Sequence, residues 1–403
     1  MLVPRFRVRV EQHVLDDLQS RLAQVRFARF TNSGGWNFGT SPEFLEELVS
    51  YWRTEFNWHQ AEGRLNALKQ YTARVGGHSI HFVHERGDGA NVMPLLLLHG
   101  WPDSFYRFHK VIPPLSDPVS HGGNAVDSFD VVVPSLPGFG FTGRITFDTD
   151  VQPLRHSAQL LWQLMTETLG YQKFAVAGGD IGRSIAQLIA IEHPESVIAV
   201  HLTDLGSRVS TIDSSLLTKS ERTYLALLHK TSVEDGAYQA VQNTKPRSLA
   251  VALNDSPAGL ASWIVDRFHS WSDHNGNIYS VFTKDELLTN IMLYWMTETI
   301  ASSMQVYFGE TIASSFKRDD FVGVPVGLAL FPKDIAGIPP RQLAERFMNV
   351  HRWTEMPHGG HFAAWEVPEL FVNDVREFFR EWRTPTLANV TDSKRETSTE
   401  RAR

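Results

Sequence analysis

A chain of 403 residues, 42% apolar and 21% charged, has the balance of a soluble globular protein and room for one large domain with insertions or two to three smaller units. Its formal net charge of −7 argues against nucleic acid or an anionic membrane as partner. The absence of cysteine excludes disulfides, thiolate zinc sites and cysteine nucleophiles.

The N-terminal MLVPRFRVRVEQHVL lacks the apolar core of a signal peptide, and no run approaches the roughly 20 apolar residues of a membrane span, so a cytoplasmic protein without a membrane anchor is expected. Residues 1–75 read as a helical N-terminal region. In SPEFLEELVSYWRTEFNW, apolar residues recur at helical spacing behind an Ser41 N-cap and a first-turn Pro42. ARVGGHSIHFVHE then alternates around Gly76-Gly77, as a hairpin does. From Met93 the pattern becomes buried strands separated by helices: PLLLLHGWP, FDVVVPSLPGFG, FAVAGGD and SVIAVHLT. Such near-continuous apolar strands predict an α/β fold, a mostly parallel sheet with helices on both faces, whose first part spans residues 76–206. Residues 207–310 break the rhythm with helical stretches, among them KDELLTNIMLYWMTETIASSMQVYF, and are expected to form a lid inserted between strands. Strands resume in VPVGLALFP and HRWTEMP, within a second core part over 311–385. The polar tail 386–403 is expected to be disordered.

The chemistry centres on AGGDIGRS. A sharp strand-to-helix turn needs small flanks, which Gly178, Gly179 and Gly182 supply, and it presents Asp180 where an ester hydrolase holds serine. An Asp N-cap is the plain alternative. As a nucleophile, a carboxylate attacks an sp³ carbon and forms an ester, whose hydrolysis needs a base and an oxyanion hole. His361, in PHGGHFAAWEVPEL after the last strand, is the base candidate, with His358 as competitor. Asp334, ending LALFPKD, is the expected partner of that histidine, with Asp204 in HLTDLG as runner-up. The backbone N–H groups of Trp101, in HGWPDSF, and of Ile181 are the oxyanion-hole candidates. If the substrate is a three-membered ring, its oxygen needs a donor, and phenols suit; Tyr224, Tyr238, Tyr279, Tyr294 and Tyr307 are candidates that spacing does not separate. Trp263, Phe268, Trp271, Phe282, Tyr294 and Trp295 suggest an apolar or aromatic pocket.

From about Phe6 to Trp382 the chain resembles the epoxide hydrolases of the microsomal type, within the α/β-hydrolase fold. The resemblance rests on DDLQSRLAQVRF and YWRTEFNW, then HGWPDSF, PSLPGFGFT, GGDIG, LNDSPAGLASWI, LLTNIMLYW, FPKD and GGHFAAWEVPE, in order. It implies Asp180 as nucleophile, His361 as base, Asp334 as its charge relay, and Tyr238 and Tyr307 as the pair that protonates the ring oxygen. It implies no metal and no organic cofactor; the partners are a small-molecule epoxide and water, with a homodimer as the candidate assembly. Two residues depart from the pattern: Ile181 stands where Trp is common, and Asp103 where Gly is usual, which is expected to alter the loop beside the site. Without a match to the anchoring N-terminal helix of some members, the resemblance implies a soluble member.

Three other readings use the same residues. A haloalkane dehalogenase also uses Asp and His, but needs halide donors and has no use for a tyrosine pair. A cyclising enzyme would open the epoxide with an internal hydroxyl. A catalytically inert binding protein would retain the fold alone.

Overall fold

The computed structural model describes residues 3–30, 34–89, 91–144, 152–206, 212, 214–335 and 337–383. The tail 386–403 therefore lies outside the described residues, as do the first residues, 207–211, of the segment read as a lid. The strands are β1 (Gln70–Val75), β2 (His78–Glu85), β3 (Met93–Leu98), β4 (Phe129–Pro134), β5 (Phe174–Gly178), β6 (Val197–Leu202), β7 (Val322–Leu330) and β8 (Met348–Glu355). They form one eight-stranded sheet in the order β1-β2-β4-β3-β5-β6-β7-β8. Pairing is antiparallel for β1/β2 and β2/β4 and parallel from β4 to β8. Every residue of β4 and β5 is buried, which is why their sequences show no polar alternation. The β1–β2 hairpin turns on Gly76 and Gly77, both at positive φ (53° and 84°), which the two-residue turn requires and side chains resist.

Helices surround the sheet. Helix Ile181–Glu192 packs on β3, β5, β6 and β7, and ends ahead of Pro194, whose ring cannot continue it. Helix Pro368–Arg380 buries Phe371, Val372, Val375, Phe378 and Phe379, a stripe at helical spacing, against β6 and β7. Removing one such ring, as in Phe378→Ala, costs about 3–5 kcal/mol.

In the N-terminal region, Ser41 caps helix Pro42–Thr54 and accepts the Phe44 N–H, as its sequence predicts. This region braces the helical segment: Tyr51 donates to Asp285 Oδ1 at 2.9 Å, Thr40 to the Ser262 carbonyl at 2.7 Å, and Arg21 pairs with Asp255 at 2.7 Å. Helices between Lys219 and Ile312 fill the interval between β6 and β7. The stretch read as one helix from Lys284 is two, Lys284–Thr297 and Ile300–Ile312. Glu298 breaks it at φ 51°, and Thr299 Oγ1 accepts the Gly140 N–H at 3.2 Å. The tertiary contact outweighs helical propensity there. No helix among the described residues is long and apolar enough to cross a membrane.

Candidate active site

Four loops bring the site together, each leaving the carboxyl end of a parallel strand. Asp180 follows β5 at φ 57°, ψ −128°. This conformation costs on the order of 1–3 kcal/mol and survives only where neighbours enforce it. They do: a Cβ on Gly182 would lie 2.2 Å from the Leu98 carbonyl oxygen, so only glycine lets the helix start this close to β3. The Asp180 N–H donates to Asp204 Oδ2 at 2.7 Å. From the loop after β3, the Trp101 N–H donates to Asp180 Oδ1 at 2.9 Å, and a Cβ on Gly100 would fall 2.3 Å from that same oxygen. Ile181 opens the helix, and its N–H is among the first-turn amides that have no intrahelical acceptor.

His361 sits after β8, 3% exposed. Its Nδ1 lies 2.8 Å from Asp334 Oδ1, and its Nε2 lies 3.6 Å from Asp180 Oδ2. Burial alone would push the imidazole down, but Asp334 and then Asp180 outweigh it and raise it to about 9. Burial pushes Asp334 up, and the facing His361 more than reverses this, holding it below the usual carboxylate range. His358 is exposed. Asp204 instead holds the Asp180 amide and pairs with Arg183 Nε at 2.5 Å.

Tyr238, on helix Ala237–Thr244, stacks on the Trp101 ring at 5.3 Å, and Tyr307, on helix Ile300–Ile312, meets that ring edge-on at 6.0 Å. The two phenol rings are 6.3 Å apart. Burial first, and then the Asp180 charge, push both hydroxyls above the ordinary phenol value, so both are neutral donors at neutral pH. Of the other candidates, the Tyr294 hydroxyl donates to the Asp103 carbonyl at 2.7 Å, Tyr279 stacks on Phe44, and Tyr224 lines the same cavity as Asp180.

Asp180, Asp334, His361 and Tyr238 face a cavity of about 430 Å³, whose apolar wall is Leu205, Tyr224, Leu225, Leu228, Phe331 and Ile335, with His229, Ser232 and Gln239 also lining it. None of the six aromatic residues expected to shape the pocket lines it. Phe268 and Phe282 pack in the core against Phe362 and Trp365, and Trp295 lines a separate groove. Trp271 comes nearest, with its ring 5.2 Å from His361 and 5.0 Å from Tyr238.

Two supporting residues have roles that the sequence reading did not assign. Glu366 accepts the N–H groups of Phe362 (2.8 Å), Gly360 (3.1 Å) and Asp273 (2.7 Å), fixing the His361 loop to the helical segment. Burial raises Glu366 to about 7. Its place five residues after His361 in the same short segment was the available signal. Asp103 is the second case. It does not simply perturb its loop: it is fully buried, accepts the Gly100 N–H at 2.8 Å and pairs with Arg107 at 2.5 Å. The spacing of four between opposite charges was legible, whereas burial of the pair was not.

An eight-stranded, mostly parallel sheet with an acidic residue at a strained strand-to-helix elbow defines an α/β hydrolase. The profile described as "alpha/beta hydrolase fold" matches residues 93–263, and that described as "Epoxide hydrolase N terminus" matches residues 3–108. Epoxide hydrolase 1 of Sus scrofa is 32% identical over 408 residues, covering 93% of this chain and 87% of the relative. Juvenile hormone epoxide hydrolase 2 of Ctenocephalides felis is 33% identical over 404 residues, covering 92% and 84%. The crystal structure of juvenile hormone epoxide hydrolase from Bombyx mori superposes with a TM-score of 0.84 at 26% identity, covering 94% of this chain and 95% of that one. The Aspergillus niger epoxide hydrolase structure gives 0.82 at 28% identity, covering 94% and 97%. The chain belongs to the epoxide hydrolase family, and its reaction is the hydrolysis of an epoxide.

Proposed function

We propose that this chain converts an apolar or aromatic epoxide and water into a vicinal diol through an ester on Asp180. The Asp180 carboxylate oxygen forms a bond to a ring carbon, the C–O bond breaks, and the electron pair passes to the ring oxygen, which takes a proton from Tyr238 or Tyr307. His361 then removes a proton from water as the oxygen adds to the ester carbonyl, with the Trp101 and Ile181 N–H groups stabilising the oxyanion. Collapse expels the second diol oxygen, which takes the proton from His361. The other proton of water leaves the regenerated Asp180 carboxyl and restores the phenol. Asp334 orients the imidazole and stabilises its charged form.

The observation that carries this reading is His361 held between two carboxylates, 2.8 Å from Asp334 and 3.6 Å from Asp180. Alkylation turns Asp180 into a neutral ester and removes one of the charges that hold the imidazole up at about 9. The imidazole thus gives up its proton more readily once there is an ester to hydrolyse. The largely apolar wall of the cavity supports an apolar or aromatic substrate, and the helices between Lys219 and Ile312 serve as its lid. The test is intact-mass measurement of His361→Gln with an aryl epoxide. An adduct of the epoxide's mass should persist; full activity without an adduct would place the base elsewhere.

A further inference from the structure

We propose that the buried Asp103–Arg107 pair is a positioning device that braces both arms of the site at once, the Trp101 amide on one side and the His361 loop on the other. The inference rests on the assignment of Asp180 and His361 above.

Asp103 is 0% exposed and Arg107 2%. One carboxylate oxygen of Asp103 accepts the Gly100 N–H at 2.8 Å, and the other meets Arg107 Nη1 at 2.5 Å. Gly100 is the residue on which a Cβ would clash with Asp180, and it immediately precedes the residue whose amide donates to Asp180 Oδ1. The second arm of Arg107, Nη2, donates to the His361 carbonyl oxygen. The guanidinium lies 5.6 Å over the Phe362 ring and within 3.4 Å of where a Cβ on Gly179 would be, directly beneath the elbow. A buried charge with its hydrogen bonds satisfied at fixed points is costly to displace, so the pair resists movement of either arm.

The pair also carries charge into the site. The ionisable groups around it are His99, 3.7 Å from Asp103, together with Asp180, Asp334 and His361. The Arg107 cation opposes the imidazolium form of His361, and the Asp103 anion favours it. The two partners therefore pull the base in opposite directions.

The experiment follows hydrolysis of the Asp180 ester against pH by rapid quench and intact mass, with enzyme in excess over an aryl epoxide. It compares the full-length wild type, Arg107→Met, Arg107→Lys and Asp103→Asn, with thermal melts to verify folding. Arg107→Met should slow ester hydrolysis about tenfold or more at neutral pH and move the pH midpoint up, because the imidazolium is then less opposed. Asp103→Asn should move the midpoint down, its amide oxygen still able to accept from Gly100. Arg107→Lys should leave the midpoint near wild type yet hydrolyse more slowly, since one ammonium cannot bridge Asp103 and the His361 carbonyl as a fork does. If Arg107→Met fails to fold, the Asp103→Asn and Arg107→Lys arms decide. Midpoints that stay fixed, or move the same way in both charge variants, while adduct still forms, overturn the role of the pair. Adduct absent from every protein, His361→Gln included, overturns the Asp180 assignment instead.

Discussion

The imidazole Nε2 of His361 lies 3.6 Å from Asp180 Oδ2, too far for a hydrogen bond and close enough for strong Coulomb coupling in a buried site. The pH behaviour follows from it. Hydrolysis of the Asp180 ester requires neutral His361, so its rate should fall as pH drops through a midpoint lying below the value of about 9 in the resting protein. Alkylation, whose proton comes from Tyr238 or Tyr307 and not from His361, should not follow that midpoint. The raised value also links to stability: the contribution of His361 is full below about pH 6.5, the ordinary imidazole value, and is lost as pH rises through about 9. The melting-temperature gap between wild type and His361→Gln should be widest at low pH and close above 9; a gap that widens with pH contradicts the pairing.

Asp334→Asn should slow ester hydrolysis by about 10²–10⁴-fold and affect alkylation less, because the amide cannot stabilise the imidazolium. Asp204→Asn should leave hydrolysis near wild type, since its amide oxygen can still accept the Asp180 N–H now seen at 2.7 Å. Asp204→Leu should slow alkylation instead, by removing the acceptor that holds the elbow. Rapid-quench kinetics separate the two steps, and the reverse pattern would exchange the two roles.

Tyr238→Phe and Tyr307→Phe should each raise the alkylation barrier by about 2–4 kcal/mol, with little effect on hydrolysis of a preformed ester. The double variant should be far slower than either. Tyr294→Phe is no neutral control, because that hydroxyl donates to the Asp103 carbonyl at 2.7 Å. Tyr279→Phe serves instead. Wild-type alkylation in both single variants would remove the phenol pair from the account.

Gly100→Ala should abolish alkylation while leaving the sheet intact. The added methyl would stand 2.3 Å from Asp180 Oδ1, displacing either the nucleophile or the Trp101 amide. Near-normal turnover in a folded Gly100→Ala protein would mean the loop accommodates the methyl and does not aim that amide.

The sheet was legible because its strands are buried on both faces and bounded by turn residues: PLLLL, FDVVVP and FAVAG each became a strand. Asp180 and Asp334 each follow a strand with a buried carboxyl end, whereas His361 follows the partly exposed edge strand β8 and was legible from its place after the last strand beside Gly359 and Gly360. The helical insertion between strands was legible too, but its internal arrangement was not. Its aromatic residues recur at helical spacing whether they face a pocket or the core, and Phe268 and Phe282 went to the core. The break at Glu298 depends on Gly140, a residue more than 150 positions away, and no local pattern reports it. The Asp103–Arg107 pair was not legible, because nothing in the local pattern reports that both charges are buried.

The most direct test of the central claim, that Asp180 is the atom donor of an ester intermediate, is a single-turnover reaction in H₂¹⁸O with enzyme in excess, followed by peptide mass analysis. Water that attacks the ester carbonyl leaves its oxygen on the enzyme, so the label should appear in the Asp180 carboxylate and be absent from the first-formed diol. Label found in the diol on that first turnover, with none on Asp180, would mean that water opens the epoxide directly and that Asp180 is not the nucleophile.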